Sequence, residues 1–292
     1  MTVFVTGGTG YIGTEVVRAL LAAGHDVQGL ARSPDAAAKL LAAGAEVVWG
    51  TLEELVILSR GARAADAVIH LGATGDEDQA EVDAAAVSAM LNAVEGTGKP
   101  FIYTSGIWVL GNTGETVADE DAPLNPAEIV RWRAEVEATL RGAADWAIRS
   151  VVVRPAVVYG RGGGTPGWFV ASARKKGAVR YVGDGSQRWP FVHVDDLADL
   201  YVLALDAPAA TVLNAAAGPS IPVCEVAEAA AEANGAVAEP WPLEEAREVL
   251  GVYADALILD QQVSAEAAVD LGWKPSRPSV LHDLRAGSYV SR

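Results

Sequence analysis

The sequence has few of the residues that hold metals, disulfides or nucleic acids. One cysteine, Cys224, stands among 292 residues, which excludes an internal disulfide and is typical of a reducing compartment. The four histidines do not have the spacing of a metal site, so no bound metal is expected. Lysine and arginine total 22 against 38 acidic residues, and the formal charge of −16 disfavours nucleic acid and anionic membranes as partners.

Long hydrophobic runs are also missing. No apolar segment has the roughly 20 residues of a membrane span. Met1 leads straight into a predicted strand, without the basic and apolar regions of a signal peptide, so we expect a cytoplasmic protein. Hydrophobic residues nevertheless make up 51% of the chain, which is enough for a large core and argues against disorder.

The first 32 residues predict a βαβ unit with a glycine-rich turn. An apolar strand over 2–6 is followed by Gly7, Gly10 and Gly13, then by a helix and a second strand over 26–31. Glycines at this spacing let the backbone approach a pyrophosphate, which the free N–H groups at the start of the helix stabilise. A purely structural βα turn is the alternative. We predict a dinucleotide site that also includes Thr9, Tyr11 and Ile12.

The end of the second strand predicts which dinucleotide binds. NAD-selective sites usually place an acid there, which binds the ribose 2′-hydroxyl. This chain has Arg32 and Ser33 instead, and a guanidinium can pair with a 2′-phosphate while a hydroxyl adds a hydrogen bond. The sequence therefore favours NADP(H) over NAD(H). The alternative is that Arg32 only extends into solvent or stacks on the adenine.

Short β-branched runs alternate with helical stretches up to about Pro155, which predicts an α/β fold, a doubly wound parallel sheet covered on both faces. Five glycines within 160–167 predict a loop. We assign 1–160, with 190–215, to a cofactor domain, and 161–189 and 216–292 to a smaller C-terminal substrate lobe. Beyond the first unit the predicted strands are 46–49, 67–70, 100–104 and 146–154, and the predicted helices are 35–43, 78–95 and 127–140.

Further motifs follow the glycine turn in order along the chain. They are Val68-Ile69-His70-Leu71-Gly72-Ala73, Arg154-Pro155-Ala156-Val157-Val158-Tyr159-Gly160, the segment over 183–198, and Leu271-Gly272-Trp273-Lys274-Pro275. Together with residues 5–13 they resemble the extended short-chain dehydrogenase/reductase superfamily, in its NAD(P)-dependent epimerase/dehydratase group. The resemblance spans nearly the whole chain and implies a Rossmann-type sheet with the cofactor at the strand ends. It implies further cofactor contacts at Leu71, Gly72, Ala73, Thr104, Pro155 and Val158.

The sequence departs from this family at the proton relay. Members usually use a Tyr-x-x-x-Lys pair on the helix after the fifth strand, with a Ser or Thr near the end of that strand. The comparison puts Ile129 at the Tyr position, Arg133 at the Lys position and Gly106 at the hydroxyl position, with Ser105 one residue early. Isoleucine cannot transfer a proton, and arginine does not deprotonate at neutral pH.

Three residues are the remaining candidates for catalysis. Ser105 can hydrogen-bond a carbonyl, Arg133 can act electrostatically near the nicotinamide ribose, and Tyr159 can serve as an acid, although a structural role is commoner for it. His193 titrates in a useful range but is expected to brace the junction between the lobes.

Four more side chains are candidates for binding the substrate, namely Trp108, Trp168, Trp189 and Arg188. Indole rings suit an apolar or aromatic pocket, and burial in a core is the alternative. Arg188 resembles the arginine that binds a nucleotide-sugar pyrophosphate in relatives, and an ion pair to Asp195 or Asp196 is the alternative.

These observations lead to three functional hypotheses. The first is an NADPH-dependent oxidoreductase that reduces a small apolar carbonyl, imine or conjugated double bond, with the proton coming from solvent or substrate. The second is a nucleotide-sugar epimerase or dehydratase, which the resemblance suggests and the missing relay opposes. The third is a non-catalytic NADP(H)-binding regulatory protein. A small molecule is the expected partner, and the helices over 78–95 and 127–140 are the candidates for a homodimer interface.

Overall fold

Fifteen strands, numbered in chain order, run through residues 1–290, the part of the chain that the computed structural model describes. They are β1 (Thr2–Thr6), β2 (Asp26–Ala31), β3 (Glu46–Trp49), β4 (Ala67–His70), β5 (Pro100–Thr104), β6 (Val117–Ala118), β7 (Arg149–Pro155), β8 (Val157–Gly160), β9 (Ala178–Val182), β10 (Arg188–Trp189), β11 (Phe191–His193), β12 (Thr211–Ala215), β13 (Ile221–Pro222), β14 (Val237–Trp241) and β15 (Gln262–Val263).

Twelve α-helices lie in the same part of the chain. They are α1 (Tyr11–Ala22), α2 (Pro34–Ala43), α3 (Leu55–Ala64), α4 (Gln79–Val94), α5 (Arg133–Gly142), α6 (Gly164–Lys176), α7 (Val194–Ala204), α8 (Val223–Glu232), α9 (Leu243–Leu250), α10 (Tyr253–Leu257), α11 (Glu266–Asp270) and α12 (Val280–Ala286). Short 3-10 turns occupy Ile107–Leu110, Glu128–Val130 and Ala143–Trp146.

The central sheet has seven parallel strands in the order β12-β7-β5-β4-β1-β2-β3. The chain builds β1 to β3 toward one edge and then crosses back to place β4 on the other side of β1. The strand order therefore reverses between β1 and β4, and ligands of doubly wound sheets bind in the crevice at the carboxyl ends of such strands. The predicted fold class is confirmed.

Both faces of this sheet are buried, which explains why its strands are nearly continuous apolar runs. Along β1, Val3 and Val5 belong to the core that α1 and α7 cover. Phe4 points to the opposite face and packs in the core that α3 and α4 cover. Because successive side chains of a strand alternate between faces, one short strand contributes to both cores.

A further core lies among α6, α8 and α12 in the second half of the chain. Small strand pairs accompany it: β8 with β11 and β9 with β14 are parallel, and β10 with β13 is antiparallel. The division into a cofactor domain and a substrate lobe at the residue boundaries given above stays a prediction.

The helix predicted over 127–140 begins later than expected. Glu128–Val130 is a 3-10 turn, and α5 starts only at Arg133. The amide of Val130 donates to Ala127 O and that of Arg131 to Glu128 O, so the Asn125-Pro126 start signal precedes a tighter turn rather than an α-helix.

The strand predicted from residue 146 was also placed too early. Trp146 ends a 3-10 turn, and Ala147 has a φ of 51° before β7 begins at Arg149.

The loop predicted over 160–167 is shorter in the structure, because β8 includes Gly160 and α6 begins at Gly164. Here the glycines serve close packing. A Cβ on Gly163 would overlap the ring of Tyr11, whose hydroxyl donates to Gly160 O at 2.8 Å across 149 residues of sequence. A local pattern could not show this contact.

Candidate active site

The glycine turn between β1 and α1 brings the backbone close to the end of β4. Gly7 has a φ of 70°, and a Cβ there would lie 2.6 Å from the carbonyl carbon and oxygen of Leu71. A Cβ on Gly13 would overlap the carbonyl oxygen of Gly7. Only glycine therefore permits this turn, and it leaves the first N–H groups of α1 free for an anion.

A cavity of about 650 Å³ opens beside this turn, at the crevice where the strand order reverses. It brings together eight of the predicted cofactor residues, namely Gly7, Thr9, Gly10, Arg32, Ser33, Leu71, Gly72 and Ala73. The other predicted contacts do not line it: Tyr11, Ile12 and Gly13 lie in α1, Thr104 and Pro155 end β5 and β7, and Val158 lies within β8.

The part of the cavity next to β2 carries two cations. Arg32 follows β2, and Lys39 lines the same cavity from α2. The Oγ of Ser33 accepts a hydrogen bond from the amide of Ala36 at 3.2 Å and caps α2, so this hydroxyl has a structural task as well. Acidic side chains also line the cavity, at Asp35, Glu53 and Asp76.

A chain of buried hydrogen bonds leads from this cavity toward Arg133. Gly72 N donates to Thr6 Oγ1 (3.1 Å), which lies 2.6 Å from Nδ1 of His70. Nε2 of His70 lies 3.1 Å from one carboxylate oxygen of Asp83. In the tautomer with the proton on Nε2, the His70 ring donates to the Asp83 carboxylate and accepts at Nδ1 from the Thr6 hydroxyl.

The other end of this chain is Tyr103, whose hydroxyl donates to the second carboxylate oxygen of Asp83 at 2.9 Å. Burial and the Asp83 charge raise the pKa of Tyr103 far above its usual range, although Arg133 opposes the shift, so the phenol stays protonated. Arg133 donates to the Thr104 carbonyl at 2.5 Å and lies 3.4 Å from the Tyr103 hydroxyl. The guanidinium is thus held at the carboxyl end of β5.

Ser105 makes a different contact. Its hydroxyl donates to Glu137 at 2.5 Å, and the same carboxylate receives three hydrogen bonds of 2.6 to 3.1 Å from Arg154. Neither Glu137 nor Arg154 has any solvent exposure. The Ser105 hydroxyl is therefore engaged by a buried ion pair.

Tyr159 is likewise engaged, because its hydroxyl donates to the Pro278 carbonyl at 2.6 Å. Burial raises the pKa of this phenol above the usual range. Its ring meets that of His193 edge to face at 5.2 Å, and His193 Nδ1 accepts from the amide of Asp195 at the start of α7. Burial lowers the pKa of His193, which keeps the ring neutral at pH 7.

Two of the predicted substrate tryptophans lie against one tyrosine. The ring of Trp108 is 5.5 Å from that of Tyr253 in an edge-on arrangement, and the ring of Trp168 is 6.1 Å from it. Trp189 is elsewhere, buried and stacked on Phe169 at 6.3 Å.

Arg188 has carboxylate partners other than the predicted alternatives. It binds Asp260 at 2.6 and 2.9 Å and Glu115 at 3.0 Å. The ion pair predicted with Asp195 or Asp196 was wrong, since Asp195 pairs with Arg161 at 2.7 Å. No local pattern points to Asp260, which lies 72 residues away.

Within residues 1–290 no three His, Cys, Asp or Glu side chains are grouped as metal ligands would be. None of the helices described is both long and apolar enough to cross a membrane.

Comparison with known proteins identifies the family. The sequence model of the NAD dependent epimerase/dehydratase family matches residues 3–216. The chain belongs to this family. It is 36% identical over 296 residues to an uncharacterized protein of Schizosaccharomyces pombe, covering 99% of this chain and 100% of the relative. It is 27% identical to a 2-alkyl-3-oxoalkanoate reductase of Stenotrophomonas maltophilia, covering 93% of this chain and 81% of that one.

Among solved structures, UDP-glucose 4-epimerase from Thermus thermophilus in complex with NAD superposes with a TM-score of 0.80 at 23% identity, over 99% of this chain and 98% of the other. This likeness confirms the Rossmann-type fold. The resemblance to the extended short-chain dehydrogenase/reductase superfamily is confirmed as well, because the matching model is that of its NAD dependent epimerase/dehydratase family.

Several residues of this site are absent from the sequence-based prediction. Lys39 could have been predicted as a second cation at the cofactor site, because it lies on the helix that directly follows Arg32. Asp83, Glu137 and Tyr253 had no local signal, since each meets its partners through contacts between distant elements.

Proposed function

We propose that this protein is an NADPH-dependent oxidoreductase that reduces a small apolar carbonyl, imine or conjugated double bond. The observation that carries the proposal is the pair of cations, Arg32 and Lys39, lining the dinucleotide cavity just beyond β2. Two cations there can pair with a 2′-phosphate, whereas an NAD site usually has an acid.

The residues present fit such a cofactor. The turn at Gly7 and Gly13 leaves a cradle that a Cβ would fill, and the α1 N-terminus faces it. Leu71, Gly72 and Ala73 line the same cavity, and Gly72 and Ala73 add little side-chain bulk there. Bound there, the nicotinamide supplies a hydride. Arg133, fixed on the Thr104 carbonyl, places a positive charge at the end of β5, where it stabilises developing negative charge.

Two observations favour reduction over epimerisation. Ile129 stands in the 3-10 turn at the position where the family resemblance implies a tyrosine, so this position supplies no base for the oxidation of a sugar hydroxyl. Arg188 is held by Asp260 and Glu115, so its charge is already neutralised and is poorly placed to take a nucleotide-sugar diphosphate. An epimerase or dehydratase is the second candidate, favoured by the match to the family. A non-catalytic NADP(H)-binding protein would bind the cofactor and show no turnover.

Fluorescence titration with NADPH and NADH tests the cofactor. We expect the wild type to prefer NADPH, and Arg32→Ala and Lys39→Ala each to weaken NADPH binding by about tenfold, which is roughly 1.4 kcal/mol for a lost charged contact to phosphate. Binding of NADH should change little. Arg60→Ala is the matched control, since Arg60 is exposed on α3 and does not line this cavity. Equal losses for both nucleotides, or tighter binding of NADH by the wild type, would overturn the assignment.

A further inference from the structure

The seven tyrosines differ in what their hydroxyl groups contact. Five are engaged inside the protein: Tyr11 with Gly160 O, Tyr103 with Asp83, Tyr159 with Pro278 O, Tyr201 with Thr104, and Tyr289 with Gly163 O. Within residues 1–290, only the hydroxyls of Tyr181 and Tyr253 make no hydrogen bond to the protein. These two are the tyrosines whose hydroxyls are available to a ligand.

Of these two, Tyr253 is the one near the end of β5. Its ring packs against Trp108, which lies in the 3-10 turn directly after Ser105 and Gly106. Helix α10, which begins at Tyr253, also contacts the 3-10 turn that holds Ile129. The fold therefore brings a tyrosine from a distant part of the chain to the segment where the family's own tyrosine is replaced.

The Tyr253 hydroxyl faces accessible space. The ring is half-buried, yet the hydroxyl is not among the sealed, unpartnered polar atoms of residues 1–290, which are Trp189 Nε1 and Asn214 Oδ1. Burial alone raises the pKa of Tyr253 to about 12, so the phenol is protonated at neutral pH and no charged group acts on it. A hydroxyl in such surroundings suits an uncharged ligand.

We propose that Tyr253 is the proton donor of this enzyme, and that Trp108, Tyr253 and Trp168 together bind a flat, apolar aldehyde or ketone, with an aryl group preferred. This inference rests on the proposed function. Trp168 is 61% exposed, which leaves an indole face for a planar partner.

The step balances in atoms and electrons. A hydride passes from the dihydronicotinamide of NADPH to the carbonyl carbon, and the C=O π electrons move to the oxygen. That oxygen takes the proton of the Tyr253 hydroxyl, which gives the alcohol, NADP⁺ and a phenolate. Water returns a proton to the phenolate. Because an alkoxide is a stronger base than a phenolate, the proton transfer runs downhill.

The test compares Tyr253→Phe with Tyr181→Phe, which removes the other free hydroxyl at a site on β9 outside the aromatic cluster. Benzaldehyde and a set of substituted aryl ketones are the substrates, and NADPH oxidation is followed at several pH values. We expect Tyr253→Phe to lower kcat about 10²- to 10⁴-fold while the Kd of NADPH is unchanged, and Tyr181→Phe to match the wild type. A Tyr253→Phe enzyme with wild-type kcat would overturn the role of Tyr253.

A second pair of variants tests the substrate class. Trp168→Ala should raise KM for aryl carbonyls about tenfold with little change in kcat, and Trp146→Ala, exposed in a distant 3-10 turn, should have no effect. If NADPH binds but neither aryl aldehydes nor aryl ketones are turned over, the substrate class is overturned while the cofactor assignment stands. If NADPH does not bind, the proposed function itself fails.

Discussion

At the scale of single residues, the most demanding electrostatic feature is a fully buried ion pair behind the end of β5. Glu137 and Arg154 have no solvent exposure, and each satisfies the other through short hydrogen bonds. Taking two charges out of water is costly, so such a pair is stable only while both members are present. The Ser105 hydroxyl completes the shell of this carboxylate, which connects the pair to the loop after β5.

Removing one charge of this pair should be strongly destabilising. Glu137→Gln keeps the shape but leaves the Arg154 guanidinium buried without a counter-charge, and we expect the free energy of unfolding to fall by about 3–5 kcal/mol. Urea unfolding followed by circular dichroism measures this. Glu81→Gln, on an exposed position of α4, is the control and should change stability by less than about 0.5 kcal/mol. A loss below about 1 kcal/mol in Glu137→Gln would show that the pair is not sealed from solvent.

The polar chain from Thr6 to Arg133 supplies hydrogen-bond partners for a second buried carboxylate, that of Asp83. Asp83 is nearly inaccessible, and its two oxygens lie within hydrogen-bond distance of His70 Nε2 and of the Tyr103 hydroxyl. The Arg133 guanidinium reaches this carboxylate only through the Tyr103 hydroxyl. Because charge-assisted hydrogen bonds are the stronger ones, this arrangement fixes Arg133 at β5 without a direct ion pair.

At the scale of elements, the glycine turn shows how one helix start determines the site. Gly13→Ala would push a methyl group into the Gly7 carbonyl, so β1 and α1 could not keep their spacing. We expect NADPH binding to weaken at least tenfold and stability to fall by about 1–3 kcal/mol. Titration and thermal unfolding report the two effects. Gly142→Ala is the control, because that glycine has helical angles and open space around it, and its stability should be unchanged or higher. Tight NADPH binding by Gly13→Ala would contradict this account of the turn.

Strands and helices with a clear hydrophobic periodicity were predictable from the sequence. The contacts that they make with distant elements were not. The βαβ unit and the apolar strands follow from side-chain alternation and glycine spacing, and β4 and β5 begin and end as expected. The glycines of 160–167 were interpreted as a loop. In the structure the Tyr11 ring leaves no room for a Cβ on Gly163, and a local sequence pattern does not show this contact because Tyr11 is far away in sequence. The position of Arg32 at the cavity was predictable from its place after β2. The contact between Tyr253 and Trp108 was not, because it forms only in the folded chain.

At the scale of the whole molecule, a segment after α10 ties distant parts of the chain together. Asp260 receives the Arg188 guanidinium and backbone amide, and its own amide donates to Asn112. The amides of Thr113 and Gly114 donate to its carbonyl. This segment follows the helix that carries Tyr253, so the same contacts keep that helix beside the end of β5.

The contacts between Asp260 and Arg188 should make the stability of the fold depend on pH in a defined direction. Hydrogen bonds from Arg188 lower the pKa of Asp260 below its usual 3.8, against the opposing effect of burial. A carboxyl whose pKa is lower in the folded state stabilises the fold above its unfolded-state pKa and loses that contribution as pH falls through the folded value. The stabilisation should therefore be complete at neutral pH and disappear progressively below about pH 4.

Thermal unfolding of the wild type and Asp260→Asn across roughly pH 3 to 8 measures this dependence. We expect a lower Tm for Asp260→Asn at neutral pH and a difference that narrows as the pH falls below about 4, because the wild-type carboxylate is then protonated and loses its charge. Asp145→Asn is the control, since Asp145 is exposed and makes no hydrogen bond to residues 1–290 through its side chain, and its Tm should follow the wild type at every pH. A Tm difference that stays constant across the whole range would mean that Asp260 acts through its hydrogen-bond geometry and not through its charge.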